Sequence, residues 1–254
     1  MSKSGIPYSG CYASYLTTIS ILNLQLMIST QFTDQECLDW EKSLRIDLKK
    51  TNTSIITDPI IERLRDAPLF LLNELRLSSI SSAIINFTST TEHYIKDIME
   101  LSLKRNSSLR KKAFKNFSIP ALELEDFESI DAIKKKLFKS ISSEQSKGQL
   151  FSNKFKKAKS FLNIENENGN SEIYKSLDSI WQIRNKIAHS NKGFINKLEI
   201  YTDNGIKVLN KEPSKEEYLY FSIDLLKIID DFTKSLKVLD NQILEKWPAN
   251  SFIN

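Results

Sequence analysis

A mainly α-helical bundle is the fold this sequence predicts, and three observations predict it. Apolar residues recur in alternating steps of four and three along several long stretches, the spacing of one helical face. Glycine and proline, six of each in 254 residues, are too scarce for a turn-rich sandwich or barrel. The one clear two-residue alternation is short and broken by a turn, between the last two helical stretches. The expected architecture is a four-helix bundle over residues 76–254, with a small β-hairpin between its last two helices. A helical extension over residues 1–75 precedes it and packs on it.

Each element has its own signal. From Ser78, the positions Ile80, Ile84, Phe87, Thr91, Tyr94, Ile98 and Leu101 form a continuous stripe down a helix ending near Arg105. Phe127, Ile130, Ile133, Leu137 and Ile141 form a second stripe, with Asp126 as candidate cap. After the polar loop of residues 163–172 comes a third: Ile173, Leu177, Ile180, Trp181, Arg184 and Ala188, with Gly193 placed to close the turn that ends it. Pro213, then Ser214 three residues before Glu217, make a capping box. Behind it Leu219, Ser222, Leu225, Ile229, Phe232, Leu236, Leu239 and Ile243 run to a stop before Pro248. At 1.5 Å per residue this helix reaches roughly 50 Å, enough to extend past a compact bundle and pair with another chain. Leu198 and Ile200, the turn Asn204-Gly205, then Ile206 and Val208 spell the hairpin.

The N-terminal third is less patterned. Residues 34–50 read as a helix capped by Thr33 or Asp34, and Leu69 to Leu75, after Pro68, begins another. Ser4 to Thr33 carries no charge but is interrupted by Ser, Thr, Asn23 and Gln25. It lacks the dense apolar run of a spanning helix and reads as a buried element with one polar edge. There is no signal-peptide cleavage pattern. Cys11 and Cys37 are the only cysteines, which excludes a disulfide scaffold and a structural zinc site and fits reduced thiols in the cytoplasm. No phosphate-cradling glycine loop occurs, and no metal or cofactor is expected.

Charge is unevenly placed. Fifteen Lys/Arg against six acids between Lys104 and Lys159 make that section +9, so the rest of a chain of net charge +4 is −5. Such asymmetry fits a polyanion-facing surface, and ordinary solvation of helix faces by lysine is the alternative.

The residues that carry chemistry lie in "SIWQIRNKIAHSNKGF". Arg184 and His189, one of two histidines in the chain, stand five apart at a helix end. Five residues at 100° each place them about 140° apart on an unbroken helix. If the helix ends near Ala188, His189 can swing back towards Arg184. RNA is the polyanion on which this pair can act without a metal, because its own 2′-hydroxyl attacks the neighbouring phosphate once a base takes the proton and an acid protonates the leaving 5′-oxygen. Histidine suits either task, and arginine offers a fixed fork of donors to the extra charge of the transition state. Asn185 can hydrogen-bond the phosphate or orient its neighbours. One histidine cannot readily be base and acid at once, and a homodimer with two such helix ends across a groove would supply both. Lys104, Arg105, Arg110, Lys111, Lys112, Lys154, Lys156, Lys157, Lys186 and Lys192 are the candidate RNA-binding cations.

"IWQIRNKIAHSNKGF" resembles the R-x4-6-H signature of HEPN domains, in which a polar residue usually follows the arginine. "LDSIWQIRNKIAH" is similar to the HEPN branches of prokaryotic defence and toxin systems, and "STTEHYIKDIMELSLKR" resembles their first long helix. The layout matches over residues 76–246. The resemblance implies a metal-independent endoribonuclease that works as a dimer with a composite active site, leaving 2′,3′-cyclic phosphate and 5′-hydroxyl ends. Arg184 would stabilise the scissile phosphate, Asn185 would assist and His189 would be the acid/base. Glu92, carried over in the same way, would orient Arg184 across the bundle, with helix-surface solvation as the other reading. His93 reads as an ordinary interior or edge histidine. A toxin or antiphage effector with an antitoxin or defence-system partner, in the cytoplasm and away from membranes, is the setting implied. HEPN toxins controlled by a partner nucleotidyltransferase carry a tyrosine two residues after the histidine; Asn191 stands there in this chain, against that mode of control. Two other readings stand beside the nuclease: a non-catalytic HEPN-type dimerisation or RNA/nucleotide-binding subunit, and a helical scaffold with no nucleic-acid role, whose basic residues would scatter over the surface.

Overall fold

A computed structural model describes residues 9–29, 35–36, 39, 42–43, 70–115, 127–148, 150–164, 171–189, 197–210 and 213–246. Among them the chain forms α1 (Gly10–Ser29), α2 (Phe70–Arg105), α3 (Ser107–Phe114), α4 (Ile130–Gln145), α5 (Phe151–Phe161), α6 (Ser171–His189), β1 (Lys197–Thr202), β2 (Gly205–Asn210) and α7 (Lys215–Lys246). The architecture is the mainly helical bundle expected, with the hairpin between its last two helices.

The centre is an aromatic cluster to which four helices each contribute. Phe87 of α2 lies edge-on to Trp181 of α6 and Phe232 of α7, and Phe151 of α5 packs 4.6 Å from the Trp181 ring and 5.0 Å from Phe232. All four side chains are buried, each a gain of about 1.5–3 kcal/mol for a fully buried large apolar group. The central four are therefore α2, α5, α6 and α7. Helix α5 has no counterpart among the expected elements. Its apolar face, Phe151, Phe155, Ala158 and, just beyond it, Leu162, is buried, but lysines at 154, 156, 157 and 159 interleave it and mask the stripe.

Helix directions follow from side-chain pairs. Arg76 near the start of α2 donates to the Pro213 carbonyl just before α7, and Tyr94 further along α2 donates to Asp240 near the end of α7, so these two run parallel. Lys246 at the end of α7 meets the Asn163 carbonyl just beyond α5, while Phe151 near the start of α5 meets Phe232, so α5 shares that direction. Along α5, Phe151, Ser152 and Phe155 meet Trp181, Asp178 and Tyr174 of α6 in descending order, so α6 runs the other way. The C-terminus of α6 thus lies at the end of the bundle where α2 and α7 begin.

Helix α2 begins at Phe70 and passes Ser78 without a break, so residues 70–75 are the first part of the long helix and not a separate one. Its stripe is buried from Ile80 to Ile98, with Leu101 half-buried. Helix α4 differs from expectation at its start. Ser129 is the cap, accepting from the Ala132 amide at 3.2 Å, and Ile130 is 71% exposed. The face that packs is Phe138, Ile141 and Ser142, with Phe138 stacked on Phe114 of α3. Helix α7 has both bonds of its capping box, Ser214 N–H to Glu217 at 2.8 Å and Glu217 N–H to the Ser214 hydroxyl at 3.1 Å. The hairpin pairs Leu198 with Leu209 and Tyr201 with Ile206, turning at Gly205, whose φ of 101° suits glycine.

Helix α1 buries Tyr12, Tyr15, Ile19, Leu22 and Leu26. Tyr12 and Tyr15 pack on Tyr94, while Leu22 and Leu26 line a groove with Leu75, Ser79 and Ala83, so α1 runs antiparallel to α2. Its outer face is apolar in part, with Ile21, Leu24 and Met27 each more than half exposed, where the sequence reads as a buried element with one polar edge. None of the described helices is long and apolar enough to cross a membrane. Cys11 is a free, half-buried thiol whose pKa burial and the nearby Asp97 and Asp240 carboxylates push up to about 11. Cys37, Asp126, Lys192, Gly193 and most of the helix expected over residues 34–50 lie outside the described residues.

Candidate functional site

Helix α6 presents its motif in graded burial. Leu177, Ile180, Trp181 and Ile183 are buried, Arg184 and Asn185 are half-buried, and Lys186, Ala188 and His189 are exposed. The helix continues through His189, so this residue stays on the helical spiral about 140° from Arg184. Arg184 donates through Nη1 to Oδ1 of Asn185 at 3.1 Å. Asn185 thus engages one edge of the guanidinium through its carbonyl oxygen.

One turn before Arg184, the indole of Trp181 leads to a polar junction of three helices. Trp181 Nε1 donates to Oε1 of Glu92 on α2 at 3.1 Å. Lys154 of α5 donates to the same oxygen, and its ammonium lies 5.9 Å from the Trp181 ring centre. Burial raises the Glu92 pKa. The hydrogen bonds from Lys154 and Trp181, with the charges of Lys154 and Arg184, outweigh it and hold the carboxyl below the usual range. Glu92 therefore stays ionised where Arg184 feels its charge, although its direct partners are Lys154 and Trp181. Lys154 is only 13% exposed at its side chain, so its ammonium faces inwards.

The other candidate cations are dispersed. Lys104 pairs with Glu100 at 2.9 Å, and Arg110 donates to the Leu103 and Lys104 carbonyls, closing the C-terminus of α2. Arg105 is half-buried, and Lys111 and Lys112 are exposed on α3. All five belong to the far end of the bundle. Lys104 is twelve residues past Glu92 and His189 eight past Trp181 on an opposed helix, which separates them by about 30 Å along the axis. Lys156 and Lys157 are exposed on α5 beyond Lys154, again away from His189. Lys186 alone of the described set shares the last turn of α6 with it. His93 is exposed on α2 and partly offsets the raised pKa of Asp97, which burial lifts.

Sequence reasoning missed the pairing of Lys154 with Glu92. The two are 62 residues apart, and Lys154, in a run of lysines, reads in the sequence as an RNA-binding cation, whereas the structure turns it inwards onto Glu92. Trp181 was legible as core, but its indole N–H gives no sign in the sequence of which acceptor it meets.

The helix before the hairpin thus ends in Arg-Asn-x3-His, with the ionised Glu92 reaching it through Trp181. The profile of the RiboL-PSP-HEPN family matches residues 36–245. The chain belongs to this family. HEPN domains are generally nuclease-related, and they commonly dimerise and act on RNA. No curated protein matches the chain, and no solved structure does. Helix α1 lies outside the matched residues.

Proposed function

We propose that the protein is an endoribonuclease that cleaves RNA by 2′-hydroxyl transesterification without a metal, as a homodimer. The observation that carries this reading is the accessible end of α6 in a HEPN-family chain: an exposed His189, and a half-buried Arg184 held by Asn185 beside the ionised Glu92. A base removes the 2′-hydroxyl proton, O2′ bonds to phosphorus, the P–O5′ bond breaks and O5′ takes a proton from an acid. The products are a 2′,3′-cyclic phosphate and a 5′-hydroxyl. Arg184 meets the extra negative charge on the phosphoryl oxygens, and the Asn185 amide donates to the same group. His189 of one chain acts as base and His189 of its partner as acid, because one imidazole faces only one side of the scissile bond and lies about 140° from its own Arg184. In this reading the protein works in the cytoplasm as a toxin or antiphage effector, held in check by an antitoxin or defence-system partner.

The test is cleavage of total and transfer RNA in excess EDTA, with product ends typed by an enzyme that needs a free 3′-hydroxyl. Cleavage that persists in EDTA, leaves blocked 3′ ends and falls at least about 100-fold in both His189→Ala and Arg184→Ala is expected. Equal activity of the variants and the wild type would refute it. The second reading, a non-catalytic HEPN-type dimerisation or RNA-binding subunit, draws on the roughly 140° that separates Arg184 and His189 on one helix, while the dispersal of the Lys104–Lys112 cations is what the scaffold reading expects. The second reading predicts RNA binding without cleavage.

A further inference from the structure

The hairpin has two unlike faces. Leu198, Ile200 and Leu209 are buried beneath it. The outward face of a one-sided antiparallel ribbon is ordinarily polar, yet here Tyr201 is 47%, Ile206 53% and Val208 39% exposed. Register puts Tyr201 directly opposite Ile206, and Val208 beside them opposite Glu199. The carboxylates beside this strip are paired with lysines: Glu199 with Lys197 at 2.5 Å and, at the turn, Asp203 with Lys227 at 3.0 Å. The strip is therefore apolar, carries a phenol ring and is close to neutral.

Its position is fixed against the motif helix. The Tyr201 amide donates to the Ser179 hydroxyl of α6 at 3.1 Å. Further back along β1, the Lys197 hydrogen bond and charge, with a smaller contribution from Lys186, hold the exposed Glu199 carboxyl below its ordinary pKa. The strand thus runs antiparallel to α6, with Lys197 towards His189 and Tyr201 about 13 Å further on.

We infer that the outward face of the hairpin is a stacking platform for unpaired RNA bases a few nucleotides along the strand from the scissile phosphate, with Tyr201, about 15 Å from His189 along α6, as the stacking ring and Ile206 and Val208 as its floor. Sequence-tolerant recognition of single strands uses an aromatic ring on a strand surface beside a cation that follows the backbone. Exposed Lys186, between the platform and His189, is that cation. A protein partner fits less well, because three side chains offer far less than the roughly 800 Å² per partner of a stable protein interface. The inference rests on the RNA reading of the same helix end, and it selects single-stranded RNA over duplex.

The experiment measures RNA affinity by fluorescence anisotropy in a His189→Ala background, with a labelled single strand and the corresponding duplex at fixed salt. Tyr201→Ala should weaken single-strand binding about 10-fold, the middle of the range for loss of one stacked base. Tyr201→Phe and Tyr201→Trp should retain it, Ile206→Asp should reproduce the loss, and duplex binding should not move. Unchanged single-strand affinity in Tyr201→Ala would overturn the platform. So would a shift from dimer to monomer in that variant by sedimentation, which would make the strip a chain–chain interface. The two readings fail separately: wild type that does not cut but binds single strands through Tyr201 removes the nuclease and keeps the platform, whereas cutting with Tyr201-independent binding does the reverse.

Discussion

Two carboxylates on long helices, Asp240 and Glu92, show how two sides of α2 differ at one level of the bundle, since Asp240 meets Tyr94, two residues on from Glu92. Asp240 is fully buried on α7 and, among the described residues, accepts from uncharged donors: the Ser9 amide at 2.7 Å, the Ser9 hydroxyl at 2.5 Å and the Tyr94 hydroxyl at 3.2 Å. The same Ser9 hydroxyl accepts from the Tyr12 amide and so caps α1. Burial, followed by the charge of Asp240, pushes the Tyr94 phenol well above its ordinary pKa, which keeps it a donor. Glu92 is half-buried, is held by a lysine and an indole, and shares its field with Arg184. On the Asp240 side the described partners of the carboxylate serve the joint between helices. On the Glu92 side the partners include cations, and the half-buried Arg184 is the one whose charge a phosphate could share. A satisfied neutral cage makes an anchor, and a cationic half-open one can be part of a binding site.

Asp240→Ala should have the largest effect on stability. Three hydrogen bonds to one buried group are lost, at about 1 kcal/mol each. A fall in melting temperature on the order of 10 °C follows for a chain of this size. His189-dependent cleavage measured well below the new transition should remain, and loss of cleavage with an intact fold would break the division between anchor and site. Lys154→Met comes next. It leaves Glu92 against the indole without its cation, and about 1–2 kcal/mol is expected, between the values for exposed and fully buried pairs. Lys154→Met together with Glu92→Gln should recover most of that loss in a double-mutant cycle by thermal melting. An additive result would mean that the two side chains are not coupled.

The smallest effect expected is one of pH. The folded-state pKa of Glu92 lies below its ordinary value of 4.5. Its ionised form therefore contributes stability above that value, and the contribution disappears as pH falls through the folded value. Melting temperatures from pH 7 to pH 3 should show wild type and Glu92→Gln converging at the acid end. A constant gap would assign the stabilisation to packing.

Much of the bundle was legible because each long helix carries its own periodic record. The α2 stripe, the Ser214/Glu217 box and the Asn204-Gly205 turn are local codes, and local codes can be read from one strand of text. Helix α5 was not, since alternating lysines conceal a face of only four apolar residues. Ile130 continued a stripe in the sequence but lies outside the contact surface, because periodicity tells which residues share a face and not where the neighbouring helix stops. The same limit applied to the site. Arg184, Asn185 and His189 are adjacent in sequence and stood out, and Glu92 drew notice through its helix. Its cation arrives from another helix, by a contact that no spacing rule encodes.

The bond between Ser9 and Asp240 also bears on how the chain is made. Its two ends are 231 residues apart, so a ribosome adding about 5–20 residues per second needs roughly 10–50 s after Ser9 to supply its partner. Throughout that interval the first helix has no cap anchor, and Tyr94 has no acceptor at the far end. Contacts of such long range form late. The nascent protein therefore completes this joint only once residue 240 has been translated, and a ribosome that stalls before it releases a chain with its α1–α7 joint unmade.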